Sequence, residues 1–383
     1  MRRLFYTLAI IAALHSGAYA QKTEKSAELN ELAAPNSPAF MLLDVSPSLV
    51  ESPSTPKEFT FAALQAFAEG QGFPQNFAVE FTPYWWLRPS GRDVYAFAGL
   101  DRNDISKQKP FSGLKFSSIS MAFVNKDLIP DQIDQEQKIF SVGFHSNIIK
   151  IQQPGYAKAL TGEISKWHKT VQGELAVMQE AINQENDPVK QRKLQQELTD
   201  KVWPVSKNIA SNINRIINQK PLFSWNVSAA YSVYGIDNNR FETGRTGVWT
   251  TLATFVPFGK RLDEIPVNYL NLLVYSRYMQ DEFMLGADNL VTSSNSIDLG
   301  GKIGFQISRV SLAWEYIERD YRKATLGSSN RNVGIVSYRL NNNLYINGTF
   351  GEDFGPVEKI VTLFGINWGF GEEKVDLPSP NLQ

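Results

Sequence analysis

Ile297-Asp298-Leu299-Gly300-Gly301-Lys302-Ile303-Gly304-Phe305-Gln306-Ile307 is the stretch whose reading decides the fold. Successive side chains of a β-strand point to opposite faces. Ile297, Leu299, Ile303, Phe305 and Ile307 therefore share one face with Gly301, while Asp298, Gly300, Lys302, Gly304 and Gln306 share the other. No soluble sandwich needs Asp298 and Lys302 facing inward. A wall with lipid outside and water or polar packing inside accepts both faces as they stand.

The same alternation recurs along the chain. Phe77, Val79 and Phe81 oppose Ala78, Glu80 and Thr82, and Phe140, Val142 and Phe144 oppose Ser141, Gly143 and His145. Near the C-terminus, Phe364, Ile366, Trp368 and Phe370 line one face. Further strand-like runs start near Phe59 and span about 114–123, 223–233, 248–256, 270–278, 310–316, 334–340 and 344–350. The tally is about twelve, an even number as bacterial single-chain barrels require. The predicted fold is an all-β membrane protein: a transmembrane antiparallel barrel of about twelve strands over residues 57–370, with the lipid bilayer as its first partner. Tyr84-Trp85-Trp86 stands where a membrane interface is expected.

Composition bounds the rest. Arg2 and Arg3 precede an apolar run from Leu4 to Leu14, and Ala18-Tyr19-Ala20 offers small residues to a signal peptidase, so residues 1–20 read as a signal peptide. No later run reaches the 18 or more apolar residues of a membrane helix, and mean hydropathy is −0.26. Membrane embedding must then be by strands, in the outer membrane of a Gram-negative envelope. A net charge of −1 gives no basic field for nucleic acid, and the absence of cysteine removes disulfides and thiolate chemistry.

Residues 21–56 read as an extended, proline-studded lead-in around one apolar patch, Phe40 to Leu43, which the barrel mouth could take up; residues 371–383 read as a tail. Within the barrel, 152–221 is a helical insert. Ile164, Trp167, Val171, Leu175, Met178 and Ile182 recur at spacings of three and four, Asp187-Pro188 opens a second helix, and Pro204 and Ser206 mark a third. Such stripes usually pack as core. The alternative is that Trp167, Val171, Leu175 and Met178 bind a periplasmic or envelope protein. Asn341-Asn342-Asn343 and Ser308-Arg309 are the shortest connections and hence periplasmic; parity then puts both termini, 89–113 and 152–221 on that side.

Motifs for chemistry are few. His145 has Ser141 and Ser146 nearby in sequence but no marked orienting group, so a lumen-packing histidine is the better reading and no enzyme is expected. No metal-ligand spacing and no cofactor motif is present. Asp101, Asn103 and Asp104 read as a turn. Gly300 to Gly304 has the letters of a phosphate loop but alternates as a strand, so its glycines make room for neighbours.

The final strand, Leu363 to Phe370, resembles the C-terminal signal of outer-membrane proteins that the barrel assembly machinery recognises, and departs from it in having Gly371 to Gln383 after the last aromatic. Ser37-Pro38-Ala39-Phe40, Val45-Ser46-Pro47, Thr55-Pro56-Lys57 and Pro83-Tyr84-Trp85-Trp86-Leu87 resemble uncharacterised exported outer-membrane barrel proteins of the Bacteroidota. That resemblance implies a barrel and brings no activity with it.

The remaining lead is charge inside the lumen. Glu80, Asp298, Lys302, Glu315 and Arg339 are placed inward by alternation. They could line a passive channel or transporter for small solutes and set its selectivity. The alternative is that they pair and close the lumen, leaving a barrel that anchors an envelope complex through its insert.

Overall fold

A computed structural model describes residues 26–28, 37–50, 59–66, 76–84, 93–101, 103–126, 137–237, 240–259, 261–262, 265–285, 291–322, 327–340, 344–354, 359–370 and 374–376. Residues 1–20, read above as a signal peptide, Trp85-Trp86 and the chain beyond Asp376 lie outside the described residues. Twelve strands form the wall: β1 Phe59–Ala66, β2 Asn76–Phe81, β3 Ser118–Lys126, β4 Gln137–Ile151, β5 Phe223–Asp237, β6 Arg240–Pro257, β7 Asn268–Leu285, β8 Val291–Ile307, β9 Val310–Tyr321, β10 Ser328–Arg339, β11 Leu344–Asp353 and β12 Lys359–Phe370. Each pairs antiparallel with its sequence neighbours, and β12 pairs with β1, Phe370 opposite Phe59, so the sheet closes into a barrel without an edge. Ser26–Glu28 pairs antiparallel with Lys374–Asp376 in a separate two-stranded sheet.

The faces are those the alternation predicts. Leu299, Ile303, Phe305 and Ile307 are exposed on β8, as are Val310, Leu312, Trp314 and Tyr316 on β9. Asp298 and Glu315 on the opposite face are fully buried. Outside β1 to β4, the rings of Phe61, Phe77, Phe123 and Phe140 follow one another at centroid separations of 6.2, 5.3 and 5.0 Å. An exposed apolar wall of this extent is costly in water and matches hydrocarbon.

Three elements differ from expectation. Residues 114–116 belong to a 3-10 turn, Pro110–Phe116, and the strand begins at Ser118. The expected third insert helix does not start at Pro204, because α5 runs unbroken from Pro188 to Ile217. An interior proline removes one backbone bond and costs about 3 kcal/mol. The burial of Ile209, Ile213, Ile216 and Ile217 on the same helix offsets that cost. The first insert helix is also less regular than expected: α3 (Tyr156–Lys166) passes through a π turn at Trp167–Gln172 before α4 (Gly173–Gln184). Among the described residues, two short α-helices lie outside the insert: α1 (Pro38–Met41) in the lead-in and α2 (Val94–Ala98) between β2 and β3.

Trp167 is 2% exposed. It packs with Leu160, Ile164, Ile213 and Ile217, and with Val94, Tyr95 and Phe97 from the β2–β3 connection, in one apolar cluster. The insert therefore packs Ile164 and Trp167 of its stripe against the barrel's own rim. The side chains of Val171, Leu175 and Met178 lie outside the described residues. We expect Trp167→Ala to destabilise this rim by about 3–5 kcal/mol, the usual cost of deleting a buried large aromatic. Denaturant unfolding followed by insert-specific proteolysis would measure it, and a loss under 1 kcal/mol would contradict the packing.

Candidate functional site

The lumen is occupied. Residues 37–50 of the lead-in run through it, and Ala39 to Leu43, Val45, Leu49 and Val50 are all buried. Small inward residues make room for them: Ala62, Ala78, Ser120, Ala122, Ser141 and Gly143 on β1 to β4. A Cβ on Gly143 would come within 2.8 Å of the Pro38 Cβ and 2.7 Å of the Ala39 nitrogen, so α1 seats directly on glycine backbone. The Ala39 N–H donates to the Ser120 hydroxyl at 3.2 Å. The segment divides the lumen's apolar packing. Phe40, Leu43 and Val45 join Ala62, Ala78, Ala122, Ile139 and Tyr234 on one side. Met41, Leu42, Leu49 and Val50 join Trp249, Phe255, Leu273, Tyr275 and Met279 on the other.

Two ionic knots hold this plug. The first is centred on Asp44, which ends the α1 turn with a left-handed φ of 56°. That conformation is uncommon for a residue with a Cβ, and Asp tolerates it better than most. The carboxylate receives Arg277 at 2.6 Å, Arg245 at 2.9 Å and Arg319 at 3.0 Å. The wall supplies the balancing acids: Asp298 contacts Arg277 at 2.6 Å and Arg319 at 2.8 Å, and Asp281 contacts Arg245 at 2.7 Å. Register explains the arrangement, since Asp298 on β8 lies directly opposite Arg277 on β7 and Arg319 on β9. Arg277 also donates to the Met41 carbonyl at 2.8 Å. Burial on its own would raise the pKa of Asp44; Arg277, Arg319 and Arg245 overcome it and hold the carboxyl well below the ordinary carboxylate range.

The second knot is centred on Glu315. Its carboxylate accepts from the Ser48 hydroxyl at 2.6 Å and from the backbone N–H groups of Val50 and Leu49 at 3.0 and 3.1 Å. Arg331 donates to it at 3.1 Å and to the Pro47 carbonyl at 3.1 Å, and contacts Asp353 at 2.9 Å. Lys302, opposite Glu315 across β8 and β9, donates to Ser48 at 2.8 Å and to the Val50 carbonyl. Thr349 donates to the Pro47 carbonyl at 2.7 Å. Each buried charge thus has an opposite charge and further hydrogen bonds, the condition under which burial is tolerated.

Of the residues singled out from sequence, Asp298, Lys302 and Glu315 are gathered around the plug. Glu80 sits on the opposite wall, where the Ser118 hydroxyl donates to it. Arg339 lines a cavity of about 90 Å³ between Pro47-Ser48 and the Ser308-Arg309 turn. His145 Nδ1 lies 3.0 Å from the hydroxyl of Ser228, not of Ser141, which donates to the Tyr231 carbonyl. The Asp101 and Asp104 carboxylates accept from Asn103 N–H and Ser106, closing a turn. Gly300 makes room for a neighbouring strand, because a Cβ there would meet the Tyr316 carbonyl at 2.3 Å. Of the assembly-signal face, Ile366 and Trp368 are exposed, and the Phe370 side chain lies outside the described residues. Sequence reading missed Asp44, Ser48, Arg245, Arg277, Arg319 and Arg331, which carry most of the network.

No protein-family model matches the chain, and no curated protein matches it. Among solved structures, the NanC porin is similar at 10% identity and a TM-score of 0.34, over 82% of this chain and 98% of that one. The Acinetobacter baumannii outer membrane protein Omp33 is similar at 8% and 0.28, over 82% and 98%, and the Ralstonia pickettii toluene transporter TbuX at 8% and 0.26, over 88% and 96%. The strand pairing above establishes the barrel independently of these remote likenesses, which do not bear on activity.

Proposed function

We propose that this chain is an outer-membrane pathway for small solutes, shut at rest by residues 37–50. One observation carries the reading: a separate segment fills the lumen between the wall's side chains, and its ionic anchors, Asp44 among three arginines and Ser48 to Val50 on Glu315, are ones that water could replace. A twelve-stranded wall freed of its plug is intermediate between small filled barrels and open channels of 16 to 18 strands. Glu80, Asp298, Lys302, Glu315 and Arg339 would then line the passage. Export through residues 1–20 and folding by the barrel assembly machinery belong to the same proposal.

The experiment is planar-bilayer conductance of the folded protein beside a variant lacking residues 37–50. We expect a quiet full-length barrel and steady current from the deletion. A folded, silent deletion would defeat the pathway reading and favour a closed barrel anchoring an envelope complex. Trp167, one of the four residues of the expected docking stripe, is already covered by the barrel's own rim, which weighs against that second role.

Orientation has its own check. The start of β1, the end of β12, the insert and the Ser308-Arg309 turn share one end of the barrel, because strand number is even and each connection alternates. Proposed as the periplasmic end, it should shield a protease site engineered at Glu185 on intact cells. Cutting without permeabilisation would reverse the orientation.

A further inference from the structure

We infer that the cavity below the plug is a binding site for a small oxyanion, a carboxylate or a phosphate. Its floor is Pro47 and Ser48, and its walls are the inward faces of β7 to β11 near the Ser308-Arg309 turn. Lys220, Lys302, Arg309 and Arg339 line it, and no carboxylate is among its described lining residues. Lys302 is matched by Glu315 in the knot above, and low-dielectric walls focus the field of the other three cations, which raises the local concentration of anions.

A second, independent observation points the same way. Asn347 is 3% exposed and lines the cavity, and its Nδ2 has no hydrogen-bond partner among the described residues. A buried N–H donor without an acceptor carries its full desolvation cost, and an oxyanion supplies the acceptor. Asn271, on the opposite wall, has an unpartnered Oδ1. That atom would accept from a ligand hydroxyl, or its amide, turned round, would present a second donor. At about 90 Å³ the space exceeds that of a single water and suits one anion of a few heavy atoms. Arginine matches carboxylate and phosphate through its planar fork, and Arg309 and Arg339 both face the space.

The site belongs to the plugged state, so it does not depend on whether the plug ever leaves. Titration calorimetry of the full-length protein, folded in detergent at low salt, tests it with inorganic phosphate, acetate and uncharged glycerol. We expect at least one anion to bind saturably and glycerol not to; phosphate against acetate then assigns the class. Arg339→Gln and Asn347→Leu should each weaken binding by roughly tenfold, the effect of losing a hydrogen bond to a charged group. Arg309→Gln, at an exposed turn residue, is the control if either of those fails to fold, and it too should weaken binding. No heat with either anion, equal binding of glycerol, or unchanged affinity in the folded variants would overturn the inference.

Discussion

Asp44→Ala should turn a silent barrel into a conducting one. The wild-type knot sets three arginines against three carboxylates, Asp44, Asp281 and Asp298. Removing Asp44 leaves Arg245, Arg277 and Arg319 facing two, and it removes the part of the knot that belongs to the plug. Breaking one side of a buried ion pair costs about 3–5 kcal/mol, because the remaining charge stays buried without compensation. That is a large share of the total stability of an ordinary fold. The plug can escape the cost by leaving the lumen and letting water reach the arginines. We therefore expect open events in bilayers and protease sensitivity within 37–50, while the strands keep their signature. In the opened knot the three wall arginines exceed the two remaining carboxylates by one, so the current should favour anions. Asp44→Glu, which keeps the charge, should remain mostly closed. A closed Asp44→Ala barrel with a protected plug would show that apolar packing alone retains it.

The same carboxylate sets how the closed state responds to acid. Its folded pKa lies below the ordinary value of 3.8. A group of that kind contributes stability that is complete above its unfolded pKa and is lost only as pH falls through the folded one. Between pH 7 and about 4 the latch should hold, with no acid-induced rise in conductance. Opening within that window would mean that Asp44 does not titrate as its arginines require.

The wall was legible because parity needs no partner. Ile297 to Ile307 declares its two faces locally, and the same holds for Phe140 to Phe144 and Phe364 to Phe370. Inward placement of Asp298, Lys302 and Glu315 followed from alternation alone. What meets them did not, because parity gives the face of a residue and not its height in the barrel. Arg277 and Arg319 become partners of Asp298 only through a register extending over three strands. The plug was harder still. Its α1 helix has four residues, too few for a period to show, and Asp44 reaches Arg319 across 275 positions of sequence. Two local signals did exist: the apolar patch Phe40 to Leu43 in an otherwise polar lead-in, and the small inward residues Ala62, Ala78, Ala122 and Gly143 on consecutive strands. Read together, they describe a hollow and something apolar to fill it. The insert shows the converse, since its stripe was plain in sequence but the α2 residues covering it lie more than fifty positions away.

Glu315→Ala should be the more damaging substitution, and the way it fails separates a latch from a scaffold. Glu315 accepts from Ser48, Leu49 and Val50 of the plug and from Arg331 of the wall, with Lys302 alongside. Alanine leaves two backbone N–H groups without an acceptor and a buried Arg331 with only Asp353 as its ionic partner. The orphaned donors cost about 1–3 kcal/mol each and the unbalanced cation about 3–5, so the closed arrangement loses more than Asp44→Ala removes. If Glu315 acts mainly on the plug, the cost should vanish once residues 37–50 are deleted, because water then reaches Arg331 and Lys302. If it acts mainly on the wall, the cost should persist in the deletion background. A double-mutant cycle of Glu315→Ala with the deletion, read by unfolding in detergent, gives the coupling directly. We expect the coupling to be several kcal/mol, nearly the whole effect of Glu315→Ala. Additivity within about 0.5 kcal/mol would place Glu315 in the wall's own stability and leave Asp44 as the sole ionic latch.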